Sequence, residues 1–361
     1  MVCRSAADMR LWSRRWIKEK FMNGRLYRTE DEKDLIRLAE ASMPGWVKLK
    51  HLYDSGYAQS EKLKGDGEII VVERGDGLVA GCGTRSTRMV YLDGRPSKIG
   101  YLSGLKSFAD RRGGFGFYRG LLMLAELERN DPREFTFMTV LKNNSRAHTL
   151  LLSGRHGLPR CRSLGEIVTY ALSALPERDC QKASFDELKE FYSRHSPRKQ
   201  LFPLFGEEFF PPGISADDFF VIRKSGRIVA AGALWSHGKS RKIVVDGYNA
   251  LMRVARPAVN TLSSLLDMPR LPPVGDEFRC MYLAYALVEN DSLDLFSELM
   301  DAARRNCNGS NLVLSLHSLD PLCKALSPLR AWRYKSEMIE AAFGGRGFEF
   351  NGVPHLEAGA L

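Results

Sequence analysis

Sliding the chain along itself by about 175 residues lays Leu121, Leu124 and Ala125 over Phe296, Leu299 and Met300, and the apolar run 135–141 over 310–316. A repeat of that length in a chain of 361 residues constrains the fold more than any single motif, because each half must be one copy of a supersecondary arrangement. The order of elements agrees. In the first half, Thr29-Glu-Asp-Glu32 has capping-box spacing at the head of an amphipathic helix running through Leu38, and a second helix is expected over 44–54. Three strand-like runs follow at 68–74, 78–91 and 98–108, with Gly75-Asp76-Gly77 and Asp93-Gly94 at the hairpin turns. The period then changes to that of a helix marked by Phe117, Leu121, Leu124 and Glu128. A strand at 135–141, a short helix capped by Asn144 and a strand at 164–173 complete the half.

After a polar connection the order returns: a helix at 185–194, strands near 218–224, 227–236 and 241–249, a strand at 279–287, a helix at 292–305, a strand at 311–316 and a short helix at 319–326. Residues 256–275, rich in proline, have no counterpart and are expected to form an inserted loop. The fold class is α/β of the α+β kind: tandem domains, each a mixed, mostly antiparallel sheet flanked by helices. The expected division is a basic segment 1–24, a first domain 25–175, a linker 176–184 and a second domain 185–361.

Fifty-three Lys and Arg against 43 Asp and Glu give a net charge of +10, which suits an anionic partner such as a phosphate-rich cofactor or nucleic acid. Seven scattered cysteines with no CxxC or Cys/His cluster argue against a disulfide framework and against a metal site. No apolar run approaches the ~20 residues of a membrane span, and no secretory signal is evident, so a cytoplasmic protein is expected. Residues 1–24 set Trp12 and Trp16 four apart among Arg4, Arg10, Arg14, Arg15, Lys18 and Lys20, a pattern that fits a helix packed on its own domain or lying on a partner or membrane surface.

The chemistry is concentrated between Tyr101 and Leu122. There a strand runs through Arg111-Arg112-Gly113-Gly114-Phe115-Gly116 directly into a helix. Glycines let a backbone turn tightly and approach a ligand, the first N–H groups of a helix are unpaired donors, and Arg111 and Arg112 add full charge beside them. This is an anion cradle. It matches neither a dinucleotide fingerprint nor a P-loop. With the preceding meander, the following strand 135–141 and the Asn144-x-x-Ala147 helix, the Arg111-x-x-Gly114-x-Gly116 pattern resembles the GNAT family of N-acetyltransferases over most of 25–173.

The resemblance implies that Arg111 to Gly116 hold the pyrophosphate of acetyl-CoA or another acyl-CoA. It places Lys106, Ser107 and Phe108 along the pantetheine and has Asn144 contact the cofactor. Where relatives often carry a tyrosine that protonates the departing thiolate, this chain has Leu150 and Leu151, which leaves His148 as the titratable residue on that helix. Asp110, Glu166 and Tyr170 are further candidates by their strand or strand-end positions. In the second half the signature positions fall on Ala286, Glu289 and Asp291, or on Leu287, Asn290 and Ser292, so its cradle is degenerate. The implied activity is acyl transfer from acyl-CoA to a small-molecule or peptide amine. The alternatives are an aminoacyl-tRNA-dependent transferase and a non-catalytic acyl-CoA-binding protein. Basic-aromatic clusters such as Arg330-Ala-Trp-Arg-Tyr-Lys335 leave nucleic acid as the weaker partner reading, and the oligomeric state is left open.

Overall fold

The computed structural model describes residues 23–40, 42, 45–107, 114–154, 159–344 and 347–361, with backbone alone at 114–118 and at 264. The first half comprises β1 (Asn23–Leu26), α1 (Glu32–Ala39), β2 (Val47–Leu52), α2 (Tyr57–Glu61), β3 (Asp66–Glu73), β4 (Val79–Leu92), β5 (Arg95–Ser107), α3 (Gly114–Asn130), β6 (Phe135–Leu141), α4 (Ser145–Leu151) and β7 (Arg160–Leu172). The second comprises α5 (Phe185–His195), β8 (Phe219–Lys224), β9 (Arg227–Trp235), β10 (Lys242–Tyr248), α6 (Ala250–Leu265), β11 (Cys280–Val288), α7 (Leu293–Arg305), β12 (Asn311–His317), α8 (Cys323–Leu326) and β13 (Trp332–Ala342). The β4–β5 hairpin closes on Asp93 and Gly94, both at positive φ (49° and 76°), as a two-residue turn matched to strand twist requires.

Eleven strands form one sheet in the order β1-β3-β4-β5-β6-β13-β7-β12-β11-β9-β8. Read inward, β3-β4-β5-β6 from one edge mirrors β8-β9-β11-β12 from the other, and each run contains one parallel pair, β5 with β6 and β11 with β12. The repeat is therefore structural. At the centre the halves exchange strands: β13 of the second half pairs with β6 of the first, and β7 of the first pairs with β12 of the second. β13 answers to no element expected from the sequence. Its ladder partners lie well over 100 residues away, so nothing local announces it.

One face of the sheet is covered by α3, through Leu121 and Leu124 on Ile70, Leu102, Met138 and Val140, and by α7, through Phe296, Leu299 and Met300 on Phe220, Leu283 and Leu314. The other face carries α1 on Ile69 and Val71, and α5 on Phe219, Val221 and Ala231. Two expectations fail on this second face. The helix expected over 44–54 is instead β2 followed by α2: Val47 and Leu49 alternate with Lys48 and Lys50, and this period of two pairs the segment with β10 in a separate ribbon. The first half of the loop expected at 256–275 is the end of α6, which Asn249 caps at Met252 N (2.8 Å) and whose Met252 and Val259 pack on Val245, Tyr248 and Leu271; 266–275 remain irregular. Burial of that face keeps the helix despite Pro257.

Candidate functional site

β5 and β6 pair only from Ile99↔Phe135 to Leu102↔Met138, although β5 continues to Ser107 and β6 to Leu141. Beyond Leu102 the two strands part, and the β6-facing edge of Ser103 to Ser107 has no strand partner among the described residues. On its other side β5 stays paired with β4 out to Gly81↔Ser107, across a register shift at Gly104. Gly104 has φ 61°, and a Cβ there would lie 2.5 Å from the Tyr57 hydroxyl, so this bend admits only glycine. The result is a wedge with one half-buried strand edge left unpaired by β6, the geometry into which an extended ligand can add as a further strand. α3 begins seven residues past β5, so its first turn comes next in chain order after the wedge.

On the face away from α3, polar groups gather around β5. Lys64 Nζ donates to both Glu61 oxygens (2.6 and 2.8 Å) and to Ser103 Oγ (3.1 Å), all three at or near burial, and Tyr101 and Thr139 share a 2.8 Å hydroxyl contact. Burial pushes the Glu61 carboxyl up, but the charge and hydrogen bond of Lys64 outweigh it, and Glu61 stays below the usual carboxylate range. Arg88 and Arg241 reach the main chain near the end of the described residues: Arg88 donates to Ala360 O, and Arg241 to Gly359 O (3.2 Å) and Leu361 O (3.4 Å). His237 stacks on Tyr282 with ring centroids 4.3 Å apart.

Burial, and then the charge of Arg241, push the His237 imidazole down to about 2. Below pH ~6.5 the unfolded chain takes up a proton that folded His237 refuses, so stability should fall with pH by about 1.4 kcal/mol per unit. Urea midpoints between pH 7.5 and 5 would measure this. His237→Phe, which keeps the ring stacking, should reduce the slope by that amount.

Of the residues singled out by sequence, Phe108, Asp110, Arg111, Arg112 and Gly113 lie outside the described residues. Gly114, Phe115 and Gly116 form the first turn of α3. Lys106 and Ser107 end β5 beside the wedge. The Lys106 ammonium, its pKa lowered by burial, is spent on Ala39 O at the end of α1 (2.6 Å). Asn144 caps α4 through Ala147 N (3.2 Å). His148 lies between Leu141 O at the end of β6 (3.1 Å from Nε2) and Glu337 of β13 (3.2 Å from Nδ1), tying α4 to the sheet. Tyr170 is not brought to the wedge. It sits on β7 in the core beneath α7, its hydroxyl pushed up to about 12 chiefly by burial, with the Arg333 guanidinium 5.2 Å from its ring centre. No sequence motif points to Glu61, Lys64, Arg241 or His237. The Glu61-Lys-Leu-Lys64 run lies between the expected elements, and only the fold brings it to Ser103 of β5.

The second half has the same parting of strands, since β11 pairs with β12 only over Cys280 to Tyr282. Here the chain occupies its own backbone. Tyr285, at φ 53°, donates its N–H to Glu357 (2.9 Å) and accepts at its carbonyl from the Tyr192 hydroxyl (2.7 Å). Phe202, Phe205, Phe210 and Phe219 crowd its ring. The start of α7 is capped by Ser292, with Asp291 held by Lys199 (2.6 Å).

No family model matches the sequence, and no curated protein matches it. Solved structures do. Yeast (Saccharomyces cerevisiae) N-myristoyltransferase with bound myristoyl-CoA is similar over 89% of this chain and 82% of its own, at TM-score 0.54 and 10% identity. A GCN5-related N-acetyltransferase from Anabaena variabilis matches over 90% of this chain and 73% of its own, at TM-score 0.51 and 9% identity. Another from Sphaerobacter thermophilus matches over 94% and 98%, at TM-score 0.50 and 11% identity. Likenesses this long at such low identity are likenesses of architecture, and with β5 parting from β6 ahead of a glycine-led helix, the chain has the GNAT fold shared by these N-acetyltransferases and N-myristoyltransferases.

Proposed function

We propose that this protein is an acyl-CoA-dependent N-acyltransferase with one donor site, in the half built on β3 to β6. The observation that carries the reading is the wedge. The free edge of Ser103 to Ser107 suits the amide-bearing arm of coenzyme A, and Arg111 to Gly116 at the start of α3 suit its pyrophosphate. The donor supplies a thioester carbonyl: a neutral amine forms the N–C bond, the C–S bond breaks, and the amine's proton balances the thiolate that leaves. The chain's part is to hold the arm straight along β5, present a backbone N–H of that edge to the carbonyl oxygen, and exclude water. Acetyl is the donor group suggested by the motif, the acceptor is a small-molecule or peptide amine, and the second half closes the acceptor side. The cradle favours CoA over an aminoacyl-tRNA donor.

The placement of His148 favours a second reading, a non-catalytic acyl-CoA binder, because this histidine of α4, near Leu150 and Leu151, is engaged by Leu141 and Glu337. Release of CoA thiol from acetyl-CoA and longer acyl-CoAs across a panel of amines separates the two. Turnover with any amine supports the enzyme, and tight binding with no turnover supports the binder. In the enzyme, His148→Ala should keep turnover within about tenfold of the parent, since loss of a true general acid costs about 100-fold or more.

A further inference from the structure

Arg241, immediately before β10, is a buried cation at the seam of the two halves. Ser60, next to Glu61, donates to the carbonyl of its neighbour Ser240, which seats Arg241 beside the Glu61–Lys64 pair and so near Ser103 of the wedge. Only 7% of the residue is exposed. Two of its nitrogens donate to Gly359 O (3.2 Å) and Leu361 O (3.4 Å), while Nε is buried with no hydrogen-bond partner. Among the described residues no Asp or Glu side chain pairs with it. His237, four residues earlier, likewise has a buried Nε2 without a partner. A buried guanidinium short of partners is costly, and a ligand that brings an oxygen anion to Nε removes that cost.

The space before it is a recess. Tyr334 is 54% exposed on β13, a central strand of the eleven, and yet burial pushes its hydroxyl above the usual phenol range. A side chain both open to solvent and desolvated stands in a concave place. His51 of β2 is the same: partly exposed, and pushed well below the usual histidine range by burial and then by Arg241, Lys64 and Lys106. Its ring leads back to the wedge through Tyr53 at 6.3 Å and, 5.4 Å further, Tyr57, whose hydroxyl faces Gly104. The charge of Arg241 also acts on Tyr53, Tyr101, Tyr282 and Tyr334, from four separate segments, so the recess is centred on it. Of the acids in reach, Glu61 is paired with Lys64, Glu40 acts on Tyr53 and Glu277 on Cys280. The charges that shift His51 are all positive.

We propose that the acceptor is an amine that carries its own anionic group, a carboxylate or a phosphate, which Arg241 receives through Nε while the amine faces the wedge. This rests on the acyl-transfer reading and names its substrate class. A plain ammonium would enter against Arg241, Lys64 and Lys106. An anionic group on the same molecule offsets that repulsion, and the cations favour the neutral amine that attack requires, its ammonium proton passing to water.

Release of CoA thiol from acetyl-CoA and longer acyl-CoAs with matched amines tests it: β-alanine against propylamine, phenylalanine against phenethylamine, and phosphoethanolamine against ethanolamine, the last separating phosphate from carboxylate. In at least one pair the anionic member should have a kcat/KM at least about tenfold higher, the effect of one hydrogen bond to a charged group. Arg241→Gln should bring the members of that pair within about threefold, and Arg241→Lys should keep part of the preference. Calorimetric binding of the same pairs to the full chain reads the site without turnover. Because Arg241 is buried, Lys106→Met at a partly exposed position is the second variant, and it should weaken binding of the anionic member by about threefold or more. Tighter binding of the anionic member with no turnover in any pair would sink the acyl-transfer reading and keep the site. Equal binding of both members in every pair, tighter binding of the uncharged member, or a preference that survives both Arg241→Gln and Lys106→Met would overturn it.

Discussion

Arg85→Met should cost about 3–5 kcal/mol of stability, the range for breaking a buried ion pair from one side. Arg85 is 1% exposed on β4 and lies between Glu68 of β3 and Glu128 near the end of α3, at 2.9 Å from each, with Asp131 O at 3.1 Å. Glu68 can turn to solvent when the guanidinium goes. Glu128 cannot: it is buried, and its other oxygen already accepts from Arg133 N and Thr136 Oγ1, both at 3.0 Å. The uncompensated carboxylate therefore carries the cost. Urea denaturation should show a lower midpoint, and adding Glu128→Gln should recover part of the loss. A shift below about 1 kcal/mol would mean that α3 is not fixed to the sheet through this triad.

Gly114→Val should weaken acyl-CoA binding by about 100-fold or more while leaving the urea midpoint within about 1 kcal/mol of the parent. On the proposed reading, a branched side chain at Gly114, the first residue of α3, would obstruct the pyrophosphate at the helix N-terminus and forfeit two or more charge-assisted hydrogen bonds at roughly 1.5–3 kcal/mol each. Unchanged affinity would show that the glycines serve only the turn. The second half should not respond to a matching change, because Tyr285, Glu357 and Ser292 already use the backbone groups a ligand would need there.

Much of the architecture is legible in the sequence because local rules and the fold agree. The meander is marked by Asp93-Gly94 and its strand-like runs, and α7 by its apolar stripe, and these and the helix expected at 185–194 appear where they are expected, the last as α5. What escapes depends on distant partners. In β13, Trp332-Arg-Tyr-Lys-Ser-Glu alternates bulky and charged residues and reads as a surface cluster, yet strand exchange places it between β6 and β7. β2 is too short to separate period two from a helical turn until β10 pairs with it. Pro257 argues against α6, and only the packing of Met252 and Val259 overrides it.

The candidate site divides the same way. The glycines and arginines of the cradle are contiguous and visible, and Asn144 is a helix cap in sequence and structure alike. The strand position of Tyr170 suggests a site residue, but the alternation of β7 turns it into the core beneath α7, while its neighbour Thr169 faces the other side and meets Ser315 Oγ at 2.7 Å. Glu61 and Lys64 are an i,i+3 pair of one short segment, but Ser103 and Arg241 come from distant segments and reach them only after folding, so no spacing rule could join the set.

The most direct test of the central claim, one acyl-CoA site per chain at the β5–β6 wedge, is the stoichiometry of a calorimetric titration of the full-length protein with acetyl-CoA. One site per chain, lost in Gly114→Val, is the expected result. Two equivalent sites, or none with acetyl-CoA or any longer acyl-CoA, would contradict it.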